Sequence, residues 1–367
     1  MTRKIAASLL LLLVTAAGAA AQSKAWDILR EIVLIPGVSA HEGPVSDFIQ
    51  GRLPAGLKVE RDAMHNVWFT VGSGRPSLLF VAHSDELGWT IDKITPEGRV
   101  KVKPGGGILP PTIEARPVLI HTAKGDVAGI VSPRPGYDER TPRGETREET
   151  PFTAETFDIY LGVSTEAEAR ALGVAEGDTV TAKKTLTDFG PGLMATRGVD
   201  DRAGCAALLD AAQRLRPEMA RGRTVTFAWD VQEETGLLGA AELAKTLKPD
   251  FVFAIDTFVS TDSPLESKRF GYLRVGQGAV VRAIDSSNVT PKTEIAKVLA
   301  IARRHAVPIQ VGNSRGGNDG SVFLPGGAVD IPLSWPGSYA HSLIEKIDRR
   351  DLEALSDLIL AIVSDWR

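Results

Sequence analysis

The sequence predicts an α/β protein in which helices flank a mixed sheet and a small β domain is inserted. Continuous apolar runs of strand length alternate with helical patterns in the first and last parts of the chain. From about residue 98 to residue 193, short β-type runs alternate with glycine and proline turns. We therefore expect one α/β domain built from residues 22–95 and 191–367, and an inserted β domain at residues 96–190.

The first 21 residues are predicted to be a secretory signal peptide. Arg3 and Lys4 form a positive start, residues 5–21 are apolar, and alanines precede Gln22. A membrane anchor is the alternative, but the apolar run is short and rich in alanine at its end. We expect an exported protein, periplasmic or secreted, with no membrane association after cleavage.

Composition excludes some partners. The formal net charge is −4 and no long run of Lys or Arg occurs, so nucleic acid and anionic membranes are not expected partners. Cys205 is the only cysteine, which rules out an internal disulfide. It opens an apolar helical run, and we expect a small core residue rather than a nucleophile.

The N-terminal elements follow from hydrophobic patterns. Helices are predicted at residues 23–35 and 42–53, strand character at 57–71, and a buried strand at 77–82. The buried strand ends in His83, with Asp85 two residues on. This spacing suits a metal ligand and the carboxylate that orients it, although a structural histidine is an equal alternative.

The inserted domain is predicted from short β-type runs. These runs cover residues 99–103, 117–122, 126–132, 158–161 and 179–187, with one short helix at 165–172. Residues 133–150 are charged and rich in Pro and Gly, which predicts a loop.

The α/β pattern then returns. Helices are predicted at residues 206–215, 238–247, 293–305 and 349–366. Strands are predicted at residues 250–256, 309–311 and 328–335, and in the apolar run from residue 224 that leads to Glu233 and Glu234.

Several acidic residues and histidines follow predicted strands, where sites form in open α/β sheets. The candidate metal ligands comprise four residues at strand ends and one at a helix start: His83, Glu234, Asp256, His341 and Asp200. Two histidines and three carboxylates suit two zinc-like ions, one carboxylate bridging them. Considered alone, the Glu233–Glu234 pair would be interpreted as a solvated acidic turn. Asp200 alone would be interpreted as an acidic residue that the helix dipole favours at a helix start.

Two such ions, about 3.5–4 Å apart, can hold a hydroxide between them and polarise a carbonyl. A carboxylate outside the metal shell must still carry the proton to the leaving amine, and Glu233 is placed for that task. Asp85 would orient His83.

At these motifs the chain resembles the glutamyl aminopeptidase family of dinuclear metallo-aminopeptidases, which includes the tetrahedral archaeal enzymes. The resemblance extends over nearly all of the chain after residue 21. The matching segments are residues 82–88, 158–162, 200–205, 231–236, 254–256 and 339–342.

The resemblance implies a zinc-exopeptidase-type fold, a peptide substrate and two divalent ions per chain, zinc first, with cobalt or manganese as alternatives. It implies that Asp200 bridges the ions, with His83 and Asp256 on one and Glu234 and His341 on the other. Glu233 would be the general base and Asp85 the orienting acid. It also implies a cis Asp200–Asp201 peptide bond, and a homo-oligomer assembled through the β domain.

Some positions depart from the family. Asn318 stands where relatives often carry Thr, Ser338 where they often carry Arg, and Asp230 is unusual before the Glu pair. We expect these residues near the substrate pocket and Asp319, in the same loop as Asn318, as a substrate contact. The preferred N-terminal residue therefore does not transfer. The predicted export also departs from many intracellular relatives.

The sequence thus predicts an exported aminopeptidase and leaves two alternatives. One is another hydrolase on the same site, a deacylase or a glycosidase, although glycosidases normally use two carboxylates without metal. The other is a non-catalytic scaffold, which the complete ligand set disfavours. The remaining histidines are expected to be structural or exposed: His41, His65, His121 and His305.

Overall fold

The computed structural model describes residues 24–108, 112–133, 153, 156–262 and 273–367. The predicted signal peptide, and the predicted loop beyond residue 133, lie outside these described residues. Within the described part of the chain, no helix is both long and apolar enough to cross a membrane.

The elements follow in three groups. The first group is α1 (Lys24–Ile32), α2 (Gly43–Arg52), β1 (Val59–Arg61), β2 (Val67–Gly72) and β3 (Ser77–His83). The second group is β4 (Gly88–Ile94), β5 (Val100–Gly105), β6 (Pro117–Thr122), β7 (Gly125–Val131), β8 (Ile159–Tyr160), α3 (Glu166–Ala171) and β9 (Thr179–Ala182). The third group is β10 (Thr187–Asp188), β11 (Leu193–Thr196), α4 (Val199–Arg214), β12 (Thr224–Asp230), α5 (Leu238–Thr246), β13 (Phe251–Val259), β14 (Ala279–Ile284), α6 (Lys292–Arg304), β15 (Ile309–Asn313), β16 (Val329–Asp330), β17 (Leu333–Gly337), β18 (Glu345–Asp348) and α7 (Arg349–Asp365).

The predicted α/β class is confirmed by a nine-stranded mixed sheet. Its order is β1-β2-β12-β3-β13-β17-β14-β15, with β16 also pairing with β13. The central strands β12, β3, β13 and β17 are parallel to one another. Their carboxyl ends therefore meet at one edge of the sheet, where Asp230 of β12 lies opposite His83 of β3.

Helices cover both faces of this sheet, because the strand residues that point to each of the two faces are apolar. Phe80 of β3 joins the core formed with α1, α4 and α7, and Phe227 packs edge-on against it with ring centroids 5.3 Å apart. The neighbouring residues Leu79 and Val81 point to the opposite face, against α5. Such a doubly covered parallel centre holds the strand ends rigidly.

The second group forms a closed barrel in the order β4-β5-β8-β7-β6-β9, with its own apolar core. The expected start at residue 96 is too late, because β4 pairs with both β5 and β9 and so opens the barrel at Gly88. The predicted strand at 179–187 is in fact two strands. β9 closes the barrel, whereas β10 leaves it to pair with β11, which in turn pairs with β18.

The other differences from the sequence predictions have local causes. The predicted strand at 328–335 is divided into β16 and β17 at Pro332, which has no N–H to donate. Strand β14 was missed because Arg282 interrupts its apolar pattern. The helix predicted at 206–215 begins earlier: α4 includes Val199, but the backbone of Asp200 and Asp201 is not helical, so the regular helix begins after this kink.

Candidate metal centre

The candidate centre lies where β3, β12 and β13 end side by side. His83 is the last residue of β3, and Glu233 and Glu234 lie in the turn that follows β12, three and four residues after its end at Asp230. Asp256 is in β13, and its neighbour Ile255 lies opposite Ala82 of β3. The parallel register therefore brings these four side chains to one edge of the sheet.

Asp200 reaches the same place from the start of α4. The Asp200–Asp201 peptide bond is cis, as the family resemblance implied. The two carboxylates separate: Asp201 accepts hydrogen bonds from Trp335 Nε1 (2.8 Å) and the Gly204 amide (3.1 Å). Asp200 is left facing the centre, with a side chain that is 4% exposed.

The five predicted ligands form two groups that share Asp200. We call the first group, His83, Asp200 and Asp256, position A, and the second, Asp200, Glu234 and His341, position B. In each group one potential ligand atom per residue lies within 4.8 Å of the others. The contacts are His83 Nε2 to Asp200 Oδ1 (3.5 Å) and to Asp256 Oδ1 (3.9 Å), and His341 Nε2 to Asp200 Oδ2 (3.8 Å) and to Glu234 Oε2 (3.7 Å).

The donor set fits divalent cations. Asp200 Oδ1 and Glu234 Oε1 are buried and have no hydrogen-bond partner. Burial, and then the negative charge of Asp200, raise the pKa of the Glu234 carboxyl group well above its usual value. A cation between these oxygens relieves both the desolvation and the repulsion, and nitrogen and carboxylate donors are those that zinc prefers.

Asp85 lies behind His83, with Oδ1 3.3 Å from Nδ1. The same carboxylate also accepts hydrogen bonds from the amides of Glu233 (3.0 Å) and Glu234 (3.2 Å) and from Ser39 Oγ (2.5 Å). It therefore ties the end of β3 to the turn that follows β12, which is a broader role than the sequence predicted.

Glu42 supports the same turn and was missed by sequence reasoning. Its Oε1 accepts from the amides of Ala40 (2.9 Å) and Gln232 (3.0 Å), and Gln232 has a φ of 57°. Burial, and then the charge of Asp85, raise the pKa of Glu42 to about 7. Only its place beside the first turn of α2 could have suggested a structural role.

Glu345 was also missed, although it joins two predicted ligands. Its Oε2 accepts from the amides of Val199 (2.7 Å) and Asp200 (3.1 Å), and its Oε1 from the amide of His341 (2.9 Å). Burial, and then the charge of Asp200, raise the pKa of Glu345 to about 8. The backbone amides of two residues of position B, Asp200 and His341, are thus held by one side chain.

Replacing Glu345 with Gln should lower the affinity of the centre for a divalent ion by about 10–100-fold. The amide group of Gln cannot accept with both of its atoms, so at least one of the three N–H groups loses its partner. Calorimetric titration of the metal-free protein with Zn²⁺ measures the change. Glu353→Gln, on the part-exposed side of α7, is the matched control, and an unchanged affinity in a folded Glu345→Gln variant would contradict the prediction.

Glu233 opens onto a cavity of about 500 Å³. Its side chain is 16% exposed, and Oε2 is 4.0 Å from His83 Nε2. Burial raises the pKa of the Glu233 carboxyl group well above its usual value. The other lining residues are the five predicted ligands, Thr257, Val259, Arg282, Ala340 and the loop of residues 314–317.

Asp319 and the three unusual residues do not line this cavity among the described residues. Asp319 is 2% exposed, and burial, and then the charge of Asp230, raise the pKa of its carboxyl group well above its usual value. Asn318 donates to Asp285 (2.7 Å), and Ser338 Oγ lies 3.2 Å from Ser260 Oγ. Asp230, Asn318, Asp319 and Ser338 are all buried, and Asn318 and Asp319 stand at the start of a 3₁₀ helix. That these residues lie near the substrate pocket stays a prediction.

The remaining histidines and the cysteine lie outside the cavity lining, as expected. His41, His65 and His305 are exposed, and His121 is bonded to Asp126 (2.7 Å). Cys205 is buried, with Sγ 3.1 Å from the carbonyl oxygen of His83.

Comparison with known proteins gives one family model and several relatives, and their descriptions agree with one another. Residues 66–358 match the family model described as M42 glutamyl aminopeptidase. The lysyl aminopeptidase of Pyrococcus furiosus is 27% identical over 93% of this chain and 97% of its own. The glutamyl aminopeptidase of Lactococcus lactis is 27% identical over 86% of this chain and 89% of its own.

Solved structures share the whole fold. The TET1 peptidase of Pyrococcus horikoshii, described as assembling into a tetrahedron or a large octahedral shell, superposes with a TM-score of 0.84 at 32% identity. That match covers 93% of this chain and 99% of the other. An endoglucanase of Thermotoga maritima superposes with a TM-score of 0.72 at 26% identity, covering 92% of this chain and 96% of its own.

Proposed function

Because the chain belongs to the M42 glutamyl aminopeptidase family of metal-dependent peptide hydrolases, we propose that it removes residues from free amino termini of peptides with two divalent ions at positions A and B. The observation that carries the proposal is the sharing of Asp200 between two otherwise separate groups of donors. Such sharing is the arrangement of a two-metal hydrolytic centre. Zinc is the first choice, since both positions offer histidine and carboxylate donors, and cobalt or manganese are alternatives.

In this proposal each nearby carboxylate has one task. When bound, the ions would polarise the scissile carbonyl and lower the pKa of water to about 7. Positions A and B are complete without Glu233, so its carboxylate is free to take the proton of the attacking water and pass it to the leaving amine. Asp85 holds His83 and the amide of Glu233, and thereby sets the distance between ligand and base.

A panel of aminoacyl-nitroanilides tests the proposal on the purified chain beginning at Gln22. We expect release from free amino termini, its loss with a chelator, and its return with Zn²⁺, Co²⁺ or Mn²⁺. Amino-terminal acetylation should abolish release. This panel also reveals the preferred N-terminal residue, which the names of the lysyl and glutamyl relatives leave open.

The second candidate is a metal-dependent deacylase or another amidohydrolase on the same centre. It is favoured by the centre itself, because the ions would polarise an acyl amide as readily as a peptide. Cleavage of N-acyl amino acids, without cleavage of free aminoacyl substrates, would replace the first proposal. A glucan in the same panel tests the endoglucanase description of the Thermotoga maritima relative.

The proposal also includes assembly into a homo-oligomer and export from the cell interior. The description of the Pyrococcus horikoshii relative as a large shell, and that of a related structure as a dodecamer, support a homo-oligomer for this chain too. The apolar and charged pattern of residues 1–21 supports export. Mass photometry of the purified protein and fractionation of cells that express the full chain are the respective measurements.

A further inference from the structure

One buried, positively charged side chain, that of Arg282, contacts the candidate centre, and it does so at position A. Arg282 of β14 has a side chain that is 1% exposed, and its Nη2 donates to Asp256 Oδ2 at 2.8 Å. Its other bonds go to Ser334 Oγ (2.8 Å) and to the carbonyl oxygens of Gly317 (2.7 Å) and Thr257. These contacts hold the guanidinium against Asp256, a ligand of position A.

Position B has no such neighbour within the described chain. There, Glu234 has His341 as its ion-pair partner, and Asp200 is paired only with histidines. Arg315 also lines the cavity, but it is exposed, so solvent screens its charge. The buried cation therefore contacts a candidate ligand of position A directly, whereas it reaches position B only through its longer-range attraction for the shared Asp200.

The oxygen atoms that the two positions can offer also differ. Asp256 has Oδ2 bonded to Arg282 and Oδ1 bonded to the amide of Thr257 (2.6 Å). Glu234 Oε1 is buried without a hydrogen-bond partner, and Oε2 has only its contact with His341. Glu234 can thus offer oxygens that accept no other hydrogen bond, whereas each oxygen of Asp256 already accepts one and has a single lone pair left for an ion.

We propose that Arg282 makes the two metal positions unequal, so that position B fills first and tightly and position A fills second and more weakly. The inference rests on the proposed two-ion function. A dication at position A meets the repulsion of a guanidinium whose side chain is only 1% exposed, so solvent screens it weakly. Asp285 reduces that repulsion only in part, since it lies 3.7 Å from the other terminal nitrogen, Nη1. In the metal-free protein the same guanidinium partly neutralises the buried carboxylates.

The test is titration of the metal-free chain with Co²⁺, followed by visible absorption and calorimetry. We expect two steps for the parent protein, separated by at least about tenfold in affinity. Arg282→Met should tighten the second step by about tenfold or more and change the first step by less than about threefold. Arg282→Lys keeps the charge and should keep the separation. Arg223→Met, which removes a buried arginine bonded to carbonyl groups far from the centre, should change neither step.

Ligand variants assign the steps and keep the test decisive if Arg282→Met does not fold. Asp256→Asn should lose the second step, and His341→Ala the first. The inference is overturned if these assignments are reversed, or if folded Arg282→Met leaves the second step unchanged while two ions still bind. In either case the proposed function stands. Fewer than two ions bound by the parent protein would overturn both.

Discussion

Replacing Glu233 with Gln is expected to leave both ions bound and to lower kcat by about 10²–10⁴-fold. Gln has nearly the same shape, but its amide cannot accept a proton and return it to a leaving amine. Positions A and B retain all their donors, because Glu233 belongs to neither of them. Metal content and the turnover of the best aminoacyl-nitroanilide measure the two halves of the prediction.

The matched control is Glu242→Gln on α5, where the carboxylate pairs with Lys245 on the surface. It should keep parental turnover. If Glu233→Gln keeps normal turnover with its ions bound, the assigned base is wrong. If it loses its ions, Glu233 is a ligand. His83, Glu233 and Glu234 also have potential ligand atoms within 4.8 Å of one another, and this group would then be the one in use.

Replacing Asp200 with Asn is expected to remove both ions and to reduce activity to background. Asp200 is the only residue common to positions A and B, so one substitution removes a negative donor from each. The loss should exceed that of Asp256→Asn, which affects position A alone. Mass spectrometry of metal content after dialysis distinguishes zero, one and two ions per chain.

Asp201→Asn is the neighbouring control for this substitution. Asp201 faces away from the centre, and the amide oxygen of Asn can still accept from Trp335 Nε1. The variant should therefore retain two ions and most of its activity. Retention of both ions by Asp200→Asn would show that Asp200 does not bridge them, and the two-ion mechanism would need another shared donor.

The sequence by itself determined the class of fold and the ligand types. Buried strands are long enough to be recognised from local hydrophobicity, and His83, Glu234 and Asp256 stand at or just beyond the ends of the predicted strands. Parallel strands place such ends at one edge, so the grouping of these donors could be expected before any coordinates. Asp200 at a predicted helix start and His341 after the predicted strand at 328–335 complete the candidate set, and only the family resemblance implied which of the five residues share an ion.

Only the tertiary structure decided which residues support the ligands. Arg282 reads as an interruption of a strand, yet it is buried because Asp256 and two carbonyl groups from distant segments surround it. Glu345 joins Asp200 to His341 across more than 140 residues of chain, and Glu42 reaches Gln232 across 190. Buried charges are tolerated only where partners from elsewhere in the fold meet them, and no local pattern records those partners. For the same reason only the fold shows that Asp319, polar and set in a glycine-rich loop, is 2% exposed and lies close enough to Asp230 to be repelled by its charge.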